Sequence, residues 1–157
     1  MMDLLPLVFV QPILFAAAVS DLRHLRISNK LSLMALGLFI VCCPFLPFDE
    51  VVSRLLYAGI IFVFGFSLFT FHIVGGGDVK ILSALVLFIP SISLILFAYV
   101  FSACLLVGIV LMIGLRSFRP NFATDWASIQ QGRTLPMGIS IAMAAIFQLY
   151  FLLAVVQ

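Results

Sequence analysis

The sequence predicts an all-α integral membrane protein with six transmembrane helices, and its composition is the first reason. Of the 157 residues, 65% are hydrophobic and 9% are charged, and the mean hydropathy is +1.34. Soluble domains are about 45–50% apolar and about 25% charged, so this class is excluded. Apolar runs long enough to cross a bilayer, roughly 20 residues, recur along the chain without a polar linker. We therefore expect a single membrane domain over residues 1–157.

The predicted spans follow from these runs and from the residues that interrupt them. They cover residues 4–20, 31–47, 55–74, 78–89, 91–115 and 135–156. Ser28 and Asn29 precede the second span and can cap its first turn. Pro90 divides the long apolar run 81–115, because proline removes a helix donor and restrains the residue before it. The fourth span is therefore short, and the polar segment 116–134 separates the fifth from the sixth.

The basic residues indicate how the spans are oriented. With six spans and both termini outside, seven basic residues lie on the cytoplasmic side and one, Arg54, lies outside, as the positive-inside rule requires. Joining residues 81–115 into one helix would place three of the seven outside and spoil this pattern. The sequence thus predicts a multi-pass protein of the cell inner membrane. The seven are Arg23, Arg26, Lys30, Lys80, Arg116, Arg119 and Arg133.

The cysteines give no indication of a metal site. Cys42, Cys43 and Cys104 all lie in apolar runs, and their spacing is not that of zinc ligands. We predict no metal, no cofactor and no nucleic-acid partner. Membrane lipid is an expected partner, and the oligomeric state is left open.

Two of the six acidic residues stand apart from the others. Asp21 closes the first span and Asp78 opens the fourth, so both are expected at the cytoplasmic face. Two carboxylates that meet at the rim of a low-dielectric bundle cannot both ionise cheaply, and they share a proton. In such a pair one carboxylate can take a proton from water while the other donates to a peptide carbonyl. The alternative is structural, with Asp21 paired to Arg23 and Asp78 paired to Lys80 or favoured by its helix N-terminus.

The remaining acidic residues are expected to be solvated loop charges. Asp49 and Glu50 fall between the second and third spans, Asp3 lies at the N-terminus and Asp125 lies in the polar segment. Charges at membrane boundaries cost little. They are therefore not candidates for catalysis.

Three consecutive glycines, Gly75, Gly76 and Gly77, precede Asp78. Glycine adopts backbone angles closed to other residues and lets another chain approach closely, so a flexible segment here would help to hold an extended substrate. A plain loop between two spans is the alternative. Lys80 either shifts the pKa of Asp78 or binds a lipid phosphate, and the sequence does not decide between these two roles.

Three segments, taken in order, resemble those of type IV prepilin peptidases. Residues 75–80 read Gly-Gly-Gly-Asp-Val-Lys, which is similar to the Gly-x-Gly-Asp motif of intramembrane aspartyl proteases. Residues 20–31 read Ser-Asp-Leu-Arg-His-Leu-Arg-Ile-Ser-Asn-Lys-Leu and resemble the other aspartate region of that family. Residues 135–142 read Leu-Pro-Met-Gly-Ile-Ser-Ile-Ala and resemble its Pro-x-Gly stretch.

The resemblance implies an aspartic endopeptidase with Asp21 and Asp78 as its catalytic pair. Gly75, Gly76, Gly77 and Lys80 would shape the site, and no metal would be used. The implied substrate is a prepilin or pseudopilin with a transmembrane helix, whose leader is cut at the cytoplasmic face. The short form is most similar to the peptidases of tight-adherence (Flp) pilus systems, and archaeal preflagellin peptidases are also compact.

Three further expectations concern activity. The cysteine-rich domain of larger relatives has no counterpart in the sequence, so N-methylation of the product is not expected. A proton-coupled transporter is a rival interpretation, although it predicts ionisable residues near the bilayer midplane. A non-catalytic scaffold of a pilus assembly machine is the other rival, and it has no need of both aspartates.

Overall fold

The structure, a computed structural model, describes residues 5–24, 26–118 and 137–156. These residues form six α-helices and two 3₁₀ turns, Cys43–Phe45 and Ser91–Ser93, without any strand. Four helices, α1, α3, α5 and α6, are long and apolar enough to cross a membrane. The predicted class, an all-α membrane protein, is confirmed, whereas six spans with both termini outside stays a prediction. The helices are α1 (Leu5–His24), α2 (Asn29–Cys42), α3 (Phe48–Thr70), α4 (Gly76–Val86), α5 (Leu94–Phe118) and α6 (Met137–Val156).

The helix ends differ from the predicted ones mainly around α3. Ser28 caps α2 as expected, with its Oγ accepting a hydrogen bond from the Lys30 N–H at 3.3 Å. α3 begins at Phe48 rather than at residue 55, so Asp49 and Glu50 lie in its first turn. Acidic side chains are favoured there by the helix dipole. The prediction that Asp49 and Glu50 lie in a loop was therefore wrong.

The short helix α4 forms the centre of the bundle. Its 11 residues span about 16 Å, much less than the roughly 30 Å of the hydrocarbon core. α4 packs against α2 and α3 and also contacts α1 and α6, while α1 packs on α2 and α6, and α5 packs on α6. The segment 81–90 is buried apart from the half-buried Leu82. Because protein covers α4 on most sides, it does not need the length of a lipid-exposed helix.

A polar cluster stabilises the non-helical backbone that follows α4. Glu50 accepts two hydrogen bonds from Ser91, one from its N–H and one from its hydroxyl, both at 2.7 Å. Arg54 is fully buried, pairs with Glu50 at 2.9 Å and donates to the Leu87 carbonyl at 3.5 Å. Non-helical backbone is tolerated at membrane depth only where such partners satisfy it. Arg54, which was predicted to lie outside, is thus an interior group, and Glu50, which was predicted to be a solvated loop charge, is half-buried and hydrogen-bonded.

α3 ends in a turn that leads directly to the glycines. His72 has a positive φ of 59°, and the N–H groups of His72 and Ile73 donate to the carbonyls of Phe69 and Leu68. This is the Schellman pattern of a helix C-terminus. His72 is exposed, and its backbone turns the chain from α3 towards α4.

The structure describes only the beginning of the predicted polar segment 116–134. α5 extends to Phe118 and therefore includes Arg116. Arg119, Asp125 and Arg133 lie outside the described residues, as does Asp3.

Candidate active site

Asp21 lies in the last turn of α1 and is buried, with 5% of its surface exposed. Its Oδ2 accepts a hydrogen bond of 2.8 Å from the N–H of Gly138. Gly138 is the second residue of α6, so this N–H has no partner within its own helix. The positive end of the α6 dipole also faces the carboxylate. Asp21 therefore fastens the end of α1 to the beginning of α6.

A side chain on Gly138 would crowd Asp21. A Cβ atom placed on Gly138 would lie 2.9 Å from the Asp21 Cβ and 3.0 Å from its Oδ2. Both distances are shorter than ordinary van der Waals contacts, which begin near 3.4 Å. The absence of a side chain at Gly138 is what lets its N–H reach the carboxylate.

Asp78 lies in the first turn of α4, directly after the three glycines. Its Oδ2 lies 2.7 Å from where a Cβ on Gly75 would be. Its Oδ1 is buried and has no hydrogen-bond partner among the described residues. An unpaired buried carboxylate oxygen is costly. It is therefore available to a ligand, a water molecule or a shared proton.

The two aspartates line one cavity of about 250 Å³. It lies at the end of the bundle where α1 ends and where α4 and α6 begin, which we call the aspartate end. Arg26, Ile27 and the three glycines complete its lining. The structure thus brings together Asp21 and Asp78, which are far apart in the sequence, as the sequence analysis predicted.

The glycines make room at this site rather than providing a flexible loop. Gly75 is the N-cap of α4 and Gly76 and Gly77 are helical, and no described glycine has a positive φ. A Cβ on Gly77 would lie 3.1 Å from the Ile27 Cβ, and one on Gly76 would lie 3.1 Å from the Phe69 ring. The expected flexible segment is therefore a closely packed first helical turn.

The chain between α1 and α2 forms the other wall of the cavity. Its position is fixed by Ser20, whose hydroxyl donates to the Arg26 carbonyl at 2.8 Å. This bond joins α1 to the connecting segment, in which Ile27 packs closely against Gly77. Arg26 is exposed and lines the cavity, so it is the basic side chain that the structure places at this site.

Lys80 is not part of this cavity. Its Nζ donates to the Asn29 side chain at 2.9 Å, and it lines a separate groove between α2 and α3. Residues two apart on a helix face nearly opposite directions, so Lys80 cannot share the face of Asp78. The structure does not support the ion-pair alternative, since within the described residues neither aspartate forms a salt bridge and the ion pair seen is Glu50–Arg54. Asp78 does lie in the first turn of α4, where the helix dipole favours a carboxylate, so that part of the structural alternative agrees with the structure.

Sequence reasoning missed three residues of the site: Gly138, Arg26 and Ile27. Gly138 stood in the Pro-x-Gly stretch of the resemblance, but it was given no role in the site. Arg26 was assigned to orientation alone. Within the described part of the chain, no group of three or more His, Cys, Asp or Glu side chains could hold a metal ion.

Fold and site together define a class: a helical membrane protein in which one buried and one half-buried carboxylate line one cavity at one end of the bundle. The model of the type IV leader peptidase family matches residues 8–113, which include both Asp21 and Asp78. The match covers well over half of the chain, and the chain therefore belongs to this family of membrane proteases. No curated protein and no solved structure matches the chain.

Proposed function

We propose that the protein is an aspartic endopeptidase that removes the leader peptide of type IV prepilins or pseudopilins. The observation that carries this proposal is the cavity shared by the carboxylates of the buried Asp21 and the half-buried Asp78. Family membership supports the leader-peptide substrate. The proposed substrate is a pilin of a tight-adherence (Flp) system, the type whose peptidases the sequence resembles.

The two carboxylates divide the chemistry between them. Asp21 accepts the N–H of Gly138, a hydrogen bond that favours a carboxylate, and so it serves as the base. Asp78, with its unpartnered Oδ1 in a largely apolar setting, serves as the acid. A water molecule between them gives a proton to Asp21 while its oxygen bonds to the scissile carbonyl carbon. Asp78 donates its proton to the carbonyl oxygen, giving a neutral tetrahedral diol.

Breakdown of this diol completes the reaction. Asp21 returns a proton to the leaving amide nitrogen, the carbon–nitrogen bond breaks and Asp78 recovers a proton from a hydroxyl of the diol. No covalent intermediate with the enzyme forms.

The aspartate end of the bundle would face the cytoplasm of the cell. The predicted positive-inside pattern supports this orientation, because Arg23, Arg26 and Lys30 all follow the end of the first span near Asp21. Arg54 is the one basic residue that this pattern places on the outer side. Its side chain is buried, so it is not an exposed positive charge there, and this supports the same orientation.

Processing of a co-expressed prepilin by Asp21→Asn and Asp78→Asn variants tests the proposal. Asparagine keeps the shape of the side chain but cannot exchange the proton, so both variants should lose cleavage, read as a gel shift. Asp49→Asn is the matched control, since Asp49 is exposed on α3, and it should process normally. Full cleavage by either site variant at normal membrane levels would refute the two-aspartate mechanism. The scaffold and transporter interpretations would then be the ones to test.

A further inference from the structure

A groove open to the membrane runs between α3 and α5, with α4 as its floor. It consists of two cavities of about 260 and 620 Å³. The cavities share four lining residues and are therefore continuous, so we treat them as one α3–α5 groove. These four are Ile61, Phe64, Leu82 and Phe101.

The α3–α5 groove begins at the proposed catalytic pair. Asp78 lines both the cavity that it shares with Asp21 and the near end of the groove. Ser91 lines the far end, 13 residues further along the chain, a distance of roughly 20 Å if the rise is helical. Between Asp78 and Ser91 the lining is apolar except for Tyr57. The groove thus has an apolar lining along its length and the carboxylate of Asp78 at one end.

Helix packing leaves this groove open. α3 packs mainly on α4, and α5 packs mainly on α6, so little holds α3 to α5. Most of the α3 surface faces outwards, and 11% of its apolar window is buried. An α-helix is about 10 Å wide. An apolar helix therefore suits a long groove that is bounded by two helices and open to lipid.

We propose that the transmembrane helix of the substrate lies in the α3–α5 groove, with the peptide bond to be cut beside Asp78. This inference rests on the proposed function and names the surface that recognises the substrate. The apolar part of the substrate contacts the groove, and the leader continues past Asp78 into the cavity lined by Asp21 and Arg26. A polypeptide entering sideways from the lipid thus reaches both carboxylates without crossing the bundle.

A second groove provides the contrast. It lies between α2 and α3, has a volume of about 500 Å³ and ends at Lys80 and Asn29. Its lining contains neither aspartate, since α4 stands between it and the catalytic pair. A helix bound there would hold its peptide bonds away from Asp78, so this groove is not the substrate site.

Photo-crosslinking distinguishes the two grooves, because α3 carries a matched pair of phenylalanines. Phe64 lines the α3–α5 groove and Phe62 lines the α2–α3 groove. p-Benzoylphenylalanine would replace Phe64, Phe62 or, on the α5 wall, Phe101, in full-length protein carrying Asp21→Asn to retain uncleaved prepilin. Irradiation of membranes should give prepilin adducts from positions 64 and 101 and not from position 62.

A bulky substitution tests the same groove in the active enzyme. Ala98 lines the groove, while Ala103, on the same helix, is also exposed but does not line it. Ala98→Trp should slow prepilin processing by about tenfold or more, and Ala103→Trp should stay within about twofold of wild type. Thermal unfolding in detergent checks that both variants fold as the wild type does.

The outcomes separate this inference from the proposed function. If the wild type does not process prepilin, the function fails and the groove assignment fails with it. If the wild type processes prepilin but adducts form from position 62, or positions 64 and 101 give adducts only with lipid or with a second copy of this chain, the groove assignment is overturned and the function stands. Normal processing by Ala98→Trp would also overturn it.

Discussion

Gly138→Ala tests whether the contact between α6 and Asp21 sets the geometry of the site. The added Cβ would lie 2.9 Å from the Asp21 Cβ, 3.0 Å from its Oδ2 and 3.3 Å from its Cγ. Ordinary contacts begin near 3.4 Å, so α1 and α6 must separate, or the carboxylate must move, by about half an ångström. Either adjustment lengthens the hydrogen bond from the Gly138 N–H, which is now 2.8 Å.

The expected effect is larger on catalysis than on stability. Inserting one methyl group into a packed interface costs about 1–3 kcal/mol, which a folded bundle can tolerate. A misplacement approaching 1 Å at a reacting group can cost about 10²-fold in rate. We therefore expect Gly138→Ala to fold, with a lowered melting temperature, and to process prepilin about 10- to 100-fold more slowly.

The assay is the initial rate of prepilin processing in membranes, with unfolding in detergent measured in parallel. Gly37→Ala is the neutral control, because a Cβ there meets nothing within 4 Å. Gly108→Ala controls for crowding against α6 away from the site, since its Cβ would press on the Ser140 hydroxyl. Processing by Gly138→Ala within about twofold of wild type would refute the reasoning, as would an equal loss in Gly108→Ala.

Two further predictions concern the polar groups around the central helix. Arg54→Met should lower the free energy of unfolding by about 1.5–3 kcal/mol, because the half-buried Glu50 keeps its hydrogen bonds from Ser91 but loses its charged partner. Urea or thermal unfolding in detergent measures this, and a change below about 0.5 kcal/mol would contradict it. Lys80→Ala should process prepilin at a rate within about twofold of wild type, because Lys80 contacts Asn29 on the face of α4 away from Asp78. A large loss of this rate at normal membrane levels would contradict the prediction and place Lys80 in the mechanism.

Much of the fold follows from local properties of the sequence. Long apolar runs identified the helices, and Pro90 correctly separated α4 from α5. The error at the beginning of α3 arose because charged Asp49, Glu50 and Arg54 were taken to mark a loop. A buried pair such as Glu50–Arg54 can lie inside a helix, and the partners that permit this, Ser91 and the Leu87 carbonyl, belong to another element.

The candidate site was predicted in its two aspartates and its three glycines, and not in the other residues around them. Asp21 and Asp78 were identified because carboxylates at the ends of apolar runs are unusual, and both line the cavity. Lys80 was included with them because it ends the motif of the resemblance at residues 75–80, although helical periodicity already placed it on the other face. Gly138 was overlooked as a site residue because nothing local indicates that its N–H meets a side chain 117 residues away.

The sequence by itself determined that this is a helical membrane protein with two carboxylates at helix ends, because apolar length and charge position are properties of each segment alone. Only the tertiary structure decided that Gly138 contacts Asp21, that the glycines make room rather than bend, and that a groove between α3 and α5 leads to Asp78. These features depend on how the helices are rotated and spaced relative to one another. Packing between distant segments sets that arrangement, and no single segment encodes it.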